Sequence, residues 1–232
     1  MKNILEFKNF SVFLKNNNHK ILNSIDIEIK EKEFLGFYLS SHPLDRYKDI
    51  ILAFRINKLS EIDLEGNQSV KTFGTITNLK KIITKKEEQM AMFNLICYDR
   101  SLSCIAFPRV YERYLTELIE KKTVYIEGKI QIDNYKGEST TKLLVDKIIE
   151  LDKIYEYPAK KLFILIEPED SYRYSRLKDL INFNKGKTQI VFAIKNKDEK
   201  KLQTMNKGIK LSKEFFENLV ELMGIDKIKI VM

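Results

Sequence analysis

The chain has 232 residues, of which 44% are hydrophobic and 32% charged, a composition typical of one or two globular domains with a charged surface. No apolar run approaches the roughly 18 residues of a membrane span, and the first 20 residues lack the apolar stretch of a signal peptide. Two cysteines and two histidines exclude a disulfide framework and a convincing zinc site. We expect a cytoplasmic protein that contacts no membrane and uses no metal or cofactor.

The net charge of +8 is concentrated in the last third of the chain. Residues 1–65 carry 10 basic and 10 acidic side chains, residues 66–152 carry 14 and 12, and residues 153–232 carry 17 and 11. A basic surface favours a polyanionic partner such as nucleic acid. A lysine-rich composition that only maintains solubility explains the same excess, so the charge alone leaves both interpretations open.

The first 65 residues are predicted to form an N-terminal segment with two short helices. Apolar residues recur at helical spacing over 31–39, and His42-Pro43 ends that helix because the residue before a proline avoids the helical region. A second amphipathic run extends from Pro43 to Phe54. His42 is interpreted as a turn residue that satisfies backbone groups, since no carboxylate or nucleophile is placed near it by spacing.

Residues 66–152 are predicted to form five strands and one helix. The strands cover Val70 to Leu79, Met90 to Tyr98, Leu102 to Phe107, Thr123 to Ile132 and Thr141 to Ile149, and the helix after Pro108 has Val110, Tyr114, Leu115 and Leu118 on one face. Alternation points Val124, Ile126 and Ile130 to one side of the fourth strand, and Tyr125 and Lys129 to the other. Gly74 inside the first strand suggests a bulge or a sharp coil.

This order of three strands, a helix and two strands is that of the OB-fold, a five-stranded Greek-key barrel. Another small antiparallel barrel or sandwich is the alternative.

Residues 153–232 are predicted to form a small β-α-β-β-α-β domain. It follows a linker from Asp152 to Lys161, and this element order is interpreted as a split βαβ arrangement. The strands cover Leu162 to Ile166, Thr188 to Ile194, Leu202 to Leu211 and Ile225 to Val231. The first helix, Tyr172 to Phe183, is predicted to bury Leu177, Leu180 and Ile181. The second helix begins after Ser212 as its N-cap and ends at Gly224. Its apolar stripe consists of Phe215, Phe216, Leu219 and Leu222. The predicted fold class is therefore α+β.

A family resemblance is carried by residues 31–44, EKEFLGFYLSSHPL, and by shorter motifs that follow in order. The long run resembles a signature of the bacterial DNA polymerase III alpha subunit, in which it lies just ahead of the OB domain. The motifs GTI at 74–76, FPRVY at 107–111 and EGK at 127–129 are similar to those of the same family, and residues 162–231 resemble its C-terminal domain. Ser41 departs from the glycine usual before His-Pro, and residues 1–26 match poorly.

The fold and the resemblance together imply a non-catalytic module that binds single-stranded DNA in replication. An OB-fold holds single strands with basic side chains on phosphates and exposed rings on bases, and the loop between its first two strands is a usual contact element. Phe93 is predicted to pack in the core because it shares a face with Ala91 and Leu95. The predicted contacts are Lys80, Lys81, Lys85 and Lys86 in that loop, Tyr98 and Arg100 near the second turn, Lys129 on the fourth strand, and Tyr135 with Lys136 in the last hairpin.

Two other functions are weighed against this one. In the family, the C-terminal domain docks the tau subunit of the clamp loader, so the resemblance also implies a protein-interaction module with little nucleic-acid binding of its own. An independent enzyme is disfavoured because the sequence has no glycine-rich phosphate loop, nucleophile elbow or metal cluster. Asp133 and Glu138 share a hairpin, but they have no further ligand-type partners, and the palm carboxylates of the polymerase cannot be identified in this chain.

Overall fold

A computed structural model describes residues 3–13, 20–30, 42–64, 66, 68–135, 138–196 and 199–232. For residues 3–13, 20–30, 133–135, 138–139, 196 and 199–200 it describes the backbone alone. Contacts divide the chain into two compact units, 1–46 and 47–232. The predicted domain boundaries near residues 65 and 152 remain predictions. Among the described residues, no helix is long and apolar enough to cross a membrane.

The first unit contains a two-stranded antiparallel hairpin that the sequence analysis did not predict. Strand β1 spans Asn3–Phe13 and pairs, with several register shifts, with strand β2, Lys20–Lys30. Ile25, Ile27 and Ile29 alternate with charged residues, which is the period of a strand and the signal for β2. The helix predicted over residues 31–39 lies outside the described residues.

The second predicted helical run is confirmed. It begins as a 3-10 helix, Pro43–Tyr47, and continues as helix α1, Lys48–Phe54, which buries Ile50, Ile51, Ala53 and Phe54. The helix ends at Arg55, whose φ of 54° places it in the left-handed region. His42 has the predicted turn role: its Nδ1 accepts a hydrogen bond from the Leu44 amide at 3.1 Å.

The middle of the chain forms a closed five-stranded barrel. Its strands are β3 (Ser69–Ile83), β4 (Gln89–Cys97), β5 (Arg100–Ala106), β6 (Thr123–Tyr135) and β7 (Glu138–Glu150). The order around the barrel is β3-β4-β5-β7-β6, and only β5 and β7 pair in parallel among these strands. Helix α2, Pro108–Arg113, lies between β5 and β6. This is the predicted OB-fold topology.

The barrel closes because β3 is shared between two neighbours. Residues 69–75 pair with β6, and residues 75–83 pair with β4. Gly74 lies where the strand changes partner, and a Cβ there would meet the Ile96 carbonyl oxygen at 2.5 Å. The predicted irregularity of β3 exists, but its register shift falls later, between Thr77 and Lys80. Gly74 therefore allows a close backbone approach rather than forming the bulge.

The barrel core contains the predicted inward face of β6. Val124, Ile126 and Ile130 are at most 1% exposed, and Phe93 is buried as expected. Tyr125 was predicted to point outward, yet it is also fully buried, and its hydroxyl donates a hydrogen bond to Glu127 at 2.5 Å. Burial, followed by the neighbouring Glu127 carboxylate, raises the pKa of Tyr125 above its usual range.

The helix after the third barrel strand differs in detail from its prediction. It has six residues, and the side chains that it and the following turns bury are Tyr111, Tyr114 and Leu118. Leu115, predicted on this face, is 48% exposed because the chain leaves helical geometry after Arg113.

The C-terminal part forms a five-stranded sheet with two helices. Its elements are β8 (Lys161–Ile166), α3 (Tyr174–Phe183), β9 (Lys185–Gly186), β10 (Thr188–Asn196), β11 (Glu199–Ile209), α4 (Lys213–Met223) and β12 (Ile228–Val231). The predicted β-α-β-β-α-β order is confirmed except that the two-residue strand β9 precedes β10, and that a 3-10 helix, Ile225–Lys227, replaces the start of the predicted last strand. Ser212 caps α4 by accepting the Phe215 amide at 3.2 Å, and Gly224 ends it with a φ of 84°.

The predicted split βαβ connectivity is wrong. The sheet order is β12-β8-β10-β11-β9, with β8 and β10 paired directly in parallel. A split unit has a strand inserted between its two parallel strands, and here none intervenes. The predicted helix faces are correct except at Leu180 and Leu222, which are half-buried at a groove between α3 and α4.

The predicted linker is a packed element. A 3-10 helix, Leu151–Glu156, buries Leu151 and Ile154 completely. The Tyr155 ring lies between Phe54 of α1 and Phe216 of α4, with ring centroids 6.4 and 5.4 Å away. These apolar residues at helical spacing anchor the segment, so it joins the barrel to the C-terminal sheet as part of the core.

A buried carboxylate fixes the turn that leads into α3. Asp170 is 3% exposed, and both of its oxygens accept hydrogen bonds from the Lys227 ammonium at 2.6 and 2.7 Å. The same carboxylate accepts the Glu167 amide at 3.0 Å and pairs with Arg173 at 3.2 Å. Burial opposes ionisation of Asp170, but the hydrogen bond from Lys227 and the Glu167 amide outweigh it and lower its pKa.

We expect Asp170→Asn to destabilise the chain by about 1–3 kcal/mol at pH 7, because the charge-assisted hydrogen bonds lose their anion. Since the folded pKa is depressed, the stabilisation exists above the unfolded pKa of about 3.9 and is lost as the pH falls through the folded value. Urea unfolding at pH 7 and pH 3.5 checks this, with Asp179→Asn on the exposed side of α3 as control. If wild type and Asp170→Asn differ by the same free energy of unfolding at pH 7 and at pH 3.5, the ionised Asp170 carboxylate is not the source of the stabilisation.

Candidate nucleic-acid interface

The predicted loop between the first two barrel strands is an arm that extends beyond the barrel. The ends of β3 and β4 continue to pair out to Ile83 and Gln89, and four predicted lysines, Lys80, Lys81, Lys85 and Lys86, are all exposed on it. Lys80 lies opposite Met92 and Lys81 opposite Ala91, so the two point to opposite sides of the arm.

The tip of the arm is an ordered turn. The Thr84 hydroxyl accepts the amides of Lys86 and Glu88 at 3.3 and 3.2 Å, and Glu87 has a φ of 62°. Glu87 and Glu88 are exposed in the same turn, so they offset part of the positive charge of the four lysines.

A carboxylate from the turn that precedes β6 fixes the base of the arm. Glu120 accepts the backbone amides of Asn78 and Leu79, each at 2.9 Å, with its two oxygens. Asn78 has a φ of 53°, and the register shift of β3 lies here, between Thr77 and Lys80. The carboxylate therefore holds the bulge from which the arm emerges.

We expect Glu120→Ala to lower the free energy of unfolding by about 1–2 kcal/mol, because two amides lose a charged acceptor. Amide hydrogen exchange should increase at Asn78 and Leu79 and along the arm, and remain unchanged in the C-terminal sheet. Glu112→Ala, which removes an exposed carboxylate from α2, is the control. Unchanged protection at the bulge in Glu120→Ala rules out this role of Glu120.

The outer face of β4, β5 and β7 carries two parallel rows of side chains. In register, Lys80, Met92, Ile105, Leu144 and Lys129 follow one another across the strands. The three central members are half-buried and apolar, and the two predicted lysines stand at the ends of the row. Lys80 and Lys129, which are far apart in sequence, therefore belong to one continuous surface row.

The second row is polar. It consists of Thr77, Asn94, Ser103, Lys142 and Gln131, again in register across the strands. The Ser103 hydroxyl donates a hydrogen bond to the Asn94 side-chain oxygen at 3.3 Å. Sequence reasoning missed this row; the signal was the alternation of Ser101 and Ser103 with the buried Leu102 and Cys104.

Of the remaining predicted contacts, Arg100 and the Tyr135 backbone lie at the other end of this face. Strands β5 and β7 are parallel with Ser103 beside Lys142, so the turns that precede them lie at the same end of the barrel. Arg100 is exposed there, and the Tyr135 backbone pairs with Glu138. The side chain of Tyr135 and all of Lys136 lie outside the described residues.

Tyr98 is at the same end but is partly engaged. Its ring packs edge-on against Phe73 with centroids 6.3 Å apart, and the Lys58 ammonium lies 5.5 Å from the ring centroid. Phe107 offers a more accessible ring: it is 47% exposed and follows Ala106, which pairs with Ala91 near the arm. The sequence signal is its place between the end of β5 at Ala106 and the helix that begins at Pro108.

The described residues contain no group of three or more His, Cys, Asp and Glu side chains that holds a metal ion. Both cysteines are buried and free, and burial raises the pKa of the Cys104 thiol above its usual range.

The strand order, the closed barrel and the helix between its third and fourth strands define an OB-fold protein. No family model matches the chain. Among curated proteins, the chain is similar to the DNA polymerase III alpha subunits of Halalkalibacterium halodurans (30% identity over 198 residues), Borreliella burgdorferi (28% over 162) and Aquifex aeolicus (32% over 159). The matches cover 84%, 69% and 67% of this chain. The chain is thus related in sequence to a part of the bacterial DNA polymerase III alpha subunit, and the predicted resemblance is confirmed.

The chain spans only 17%, 13% and 13% of the lengths of these three relatives. Among solved structures, it is similar to the mitochondrial single-stranded DNA binding protein Rim1 of S. cerevisiae, with 15% identity over 37% of this chain and 97% of that chain, and a TM-score of 0.32. It is also similar to RecG bound to a three-way DNA junction, with 16% identity over 51% and 16% of the two chains and a TM-score of 0.34. The OB-fold assignment rests on the strand order rather than on these scores.

Proposed function

We propose that the chain is a non-catalytic module of the DNA polymerase III alpha type that binds single-stranded DNA on the outer face of its barrel, in the cytoplasm, during DNA replication. The observation that carries this proposal is the apolar row of Met92, Ile105 and Leu144 with Lys80 and Lys129 at its two ends. Bases lie against the apolar row, and the lysines neutralise phosphates on either side.

The arm and the exposed ring of Phe107 extend this surface at one end, and Arg100 extends it at the other. Single-stranded DNA that follows the row crosses three to five β-strands of the barrel. This length suits the roughly 4–16 nucleotides that one OB-fold typically binds. Asn94 and Ser103 in the polar row supply hydrogen-bonding groups for base edges. The site needs neither a metal nor a cofactor, since binding of this kind is made of stacking and charge neutralisation.

The direct test is equilibrium binding of a fluorescein-labelled eight-nucleotide oligothymidylate, followed by anisotropy. We expect the single strand to bind more tightly than a duplex of the same length. Phe107→Leu should weaken binding about tenfold, because base stacking is worth about 1–3 kcal/mol, while leaving the salt dependence unchanged. Tyr98→Leu should weaken binding less, because that ring is already packed against Phe73. Equal affinity for duplex and single strand overturns the proposal.

A protein-docking function is the second candidate, and one observation favours it. A groove of about 700 Å³ lies between α3 and α4, and its lining carries two arginines against one carboxylate: Tyr172, Arg173, Arg176, Leu180, Asn218, Glu221 and Leu222. This lining suits an acidic segment with apolar side chains. Part of the replication machinery, such as the clamp-loader tau subunit, is the partner that the family relationship suggests. Binding of purified tau that is lost in Arg176→Glu and retained in Lys185→Glu supports docking here; unchanged binding in Arg176→Glu excludes it.

A further inference from the structure

The C-terminal sheet has one covered face and one open face. Leu162, Ile190 and Ile230 are register neighbours on the covered face and are at most 2% exposed. Tyr174 of α3 lies against the same face, since it lines a cavity together with Phe192 and Ile194. Because side chains alternate along a strand, the neighbouring positions point to the other side of the sheet.

The open face is apolar at its centre. Phe163 and Leu165 of β8 are half-buried there, and Leu202 of β11 is 62% exposed. The register places Phe163 beside Val191, and Leu165 beside Ala193, which in turn pairs with Leu202. Val191 and Ala193 are only 4% and 8% exposed, so the accessible apolar surface of this face belongs to Phe163, Leu165 and Leu202. Strand β8, with apolar residues on both of its faces, has the composition of a strand that is covered on both sides.

Lysines border this apolar centre. Lys229 of β12 is the register neighbour of Phe163, and Lys161 lies two residues before Phe163 on the same face; both are exposed. Lys195 lies farther along the face and pairs with Glu167 at 3.3 Å. Apart from Glu167, which pairs with Lys195, no carboxylate stands among the described strand residues of this face, although residues 153–232 as a whole contain 11 acidic side chains.

We propose that this open face is a second surface for single-stranded nucleic acid, separate from the barrel. Phe163 contacts a base, and Lys161 and Lys229 contact the flanking phosphates. An exposed sheet with a ring on a central strand and cations at its edge binds single strands in the same way as a barrel face does. The charge of the face favours this occupant over an apolar protein segment, since Lys161 and Lys229, which form no ion pair among the described residues, flank Phe163.

The test uses the full chain with a 24-nucleotide labelled oligothymidylate, which is long enough to reach both surfaces. We expect Phe163→Leu to bind about tenfold more weakly than wild type, and Phe163→Tyr, which keeps the ring, to bind like wild type. Lys161→Gln with Lys229→Gln should flatten the salt dependence by about 1.4 units, since each phosphate contact contributes about 0.7. Lys178→Gln with Lys213→Gln, which removes two charges from the helices α3 and α4, is the control and should leave it unchanged.

Ultraviolet cross-linking gives an independent readout: the peptide containing Phe163 should carry bound thymidylate. The proposal is overturned if both Phe163→Leu and the double variant of Lys161 and Lys229 bind with wild-type affinity. In that case the face binds no nucleic acid and is either free or in contact with a protein. The lysine pair decides the outcome if Phe163→Leu fails to fold. A failure of the barrel proposal is distinguishable from this result, because binding would then be unaffected by substitutions of the arm lysines.

Discussion

Replacing Lys80, Lys81, Lys85 and Lys86 together by Gln should sharply weaken binding of an eight-nucleotide single strand. Each lysine that neutralises a phosphate displaces counterions, and for single strands each contact contributes about 0.7 to the slope of log affinity against log salt. If most of the four lysines contact the strand, the slope falls by about 2–3 units. At 0.1 M salt this corresponds to a roughly 100- to 1000-fold loss of affinity, provided that the non-electrostatic part of binding is unchanged.

The comparison needs a variant with the same loss of charge. Lys48, Lys178, Lys185 and Lys213 are exposed and lie outside the barrel, so their joint replacement by Gln is the matched control. A salt series measured by anisotropy should give a flattened slope in the arm variant and a wild-type slope in the control. Equal slopes in both variants place the phosphate contacts away from the arm. If the slope falls by less than the maximum, some of the four lysines point away from the DNA, as Lys81 points away from the side of Lys80.

Ile126→Ala should cost about 2–5 kcal/mol of the free energy of unfolding. Ile126 is fully buried in the barrel core, and truncation removes its transfer free energy and leaves a cavity that close-packed neighbours fill only in part. Ile83→Ala is the matched control, because the same change is made at a residue that is 68% exposed on the arm. Denaturant melts at pH 7 measure both. A loss below about half a kilocalorie per mole for Ile126→Ala contradicts its place in the core.

The barrel was predictable from the sequence because its signals are local. Alternation in β6 identified Val124, Ile126 and Ile130 as core residues, and turn residues separated the strands. Tyr125 was not predictable in the same way, since a residue on the outer side of a strand becomes buried only when another part of the fold covers it. The alternation of Ile25, Ile27 and Ile29 was the signal for β2. Leu151, Ile154 and Tyr155 were the signal for the packed 3-10 helix at 151–156. Both elements were missed because polar residues lie on either side of these short apolar patterns.

The order of the C-terminal strands lies beyond local patterns. Both a split and a direct βαβ arrangement have the same sequence of elements, and they differ only in which strands pair. The candidate site has the same limit. Lys80 and Lys129 were predicted separately, but their membership of one row with Met92, Ile105 and Leu144 depends on the register of four strand pairs. Asn94 and Ser103 were missed for this reason.

The most direct measurement of single-strand binding by the barrel is a map of backbone amide chemical shifts during titration with an eight-nucleotide oligothymidylate at low salt. The account predicts that the largest shifts lie in the arm, along β4 and β5 around Met92, Asn94 and Ser103, at Phe107 and near Leu144. Amides of the helices α3 and α4 should remain unshifted. Shifts confined to residues outside the barrel, or no shifts at all at saturating oligonucleotide, contradict the account.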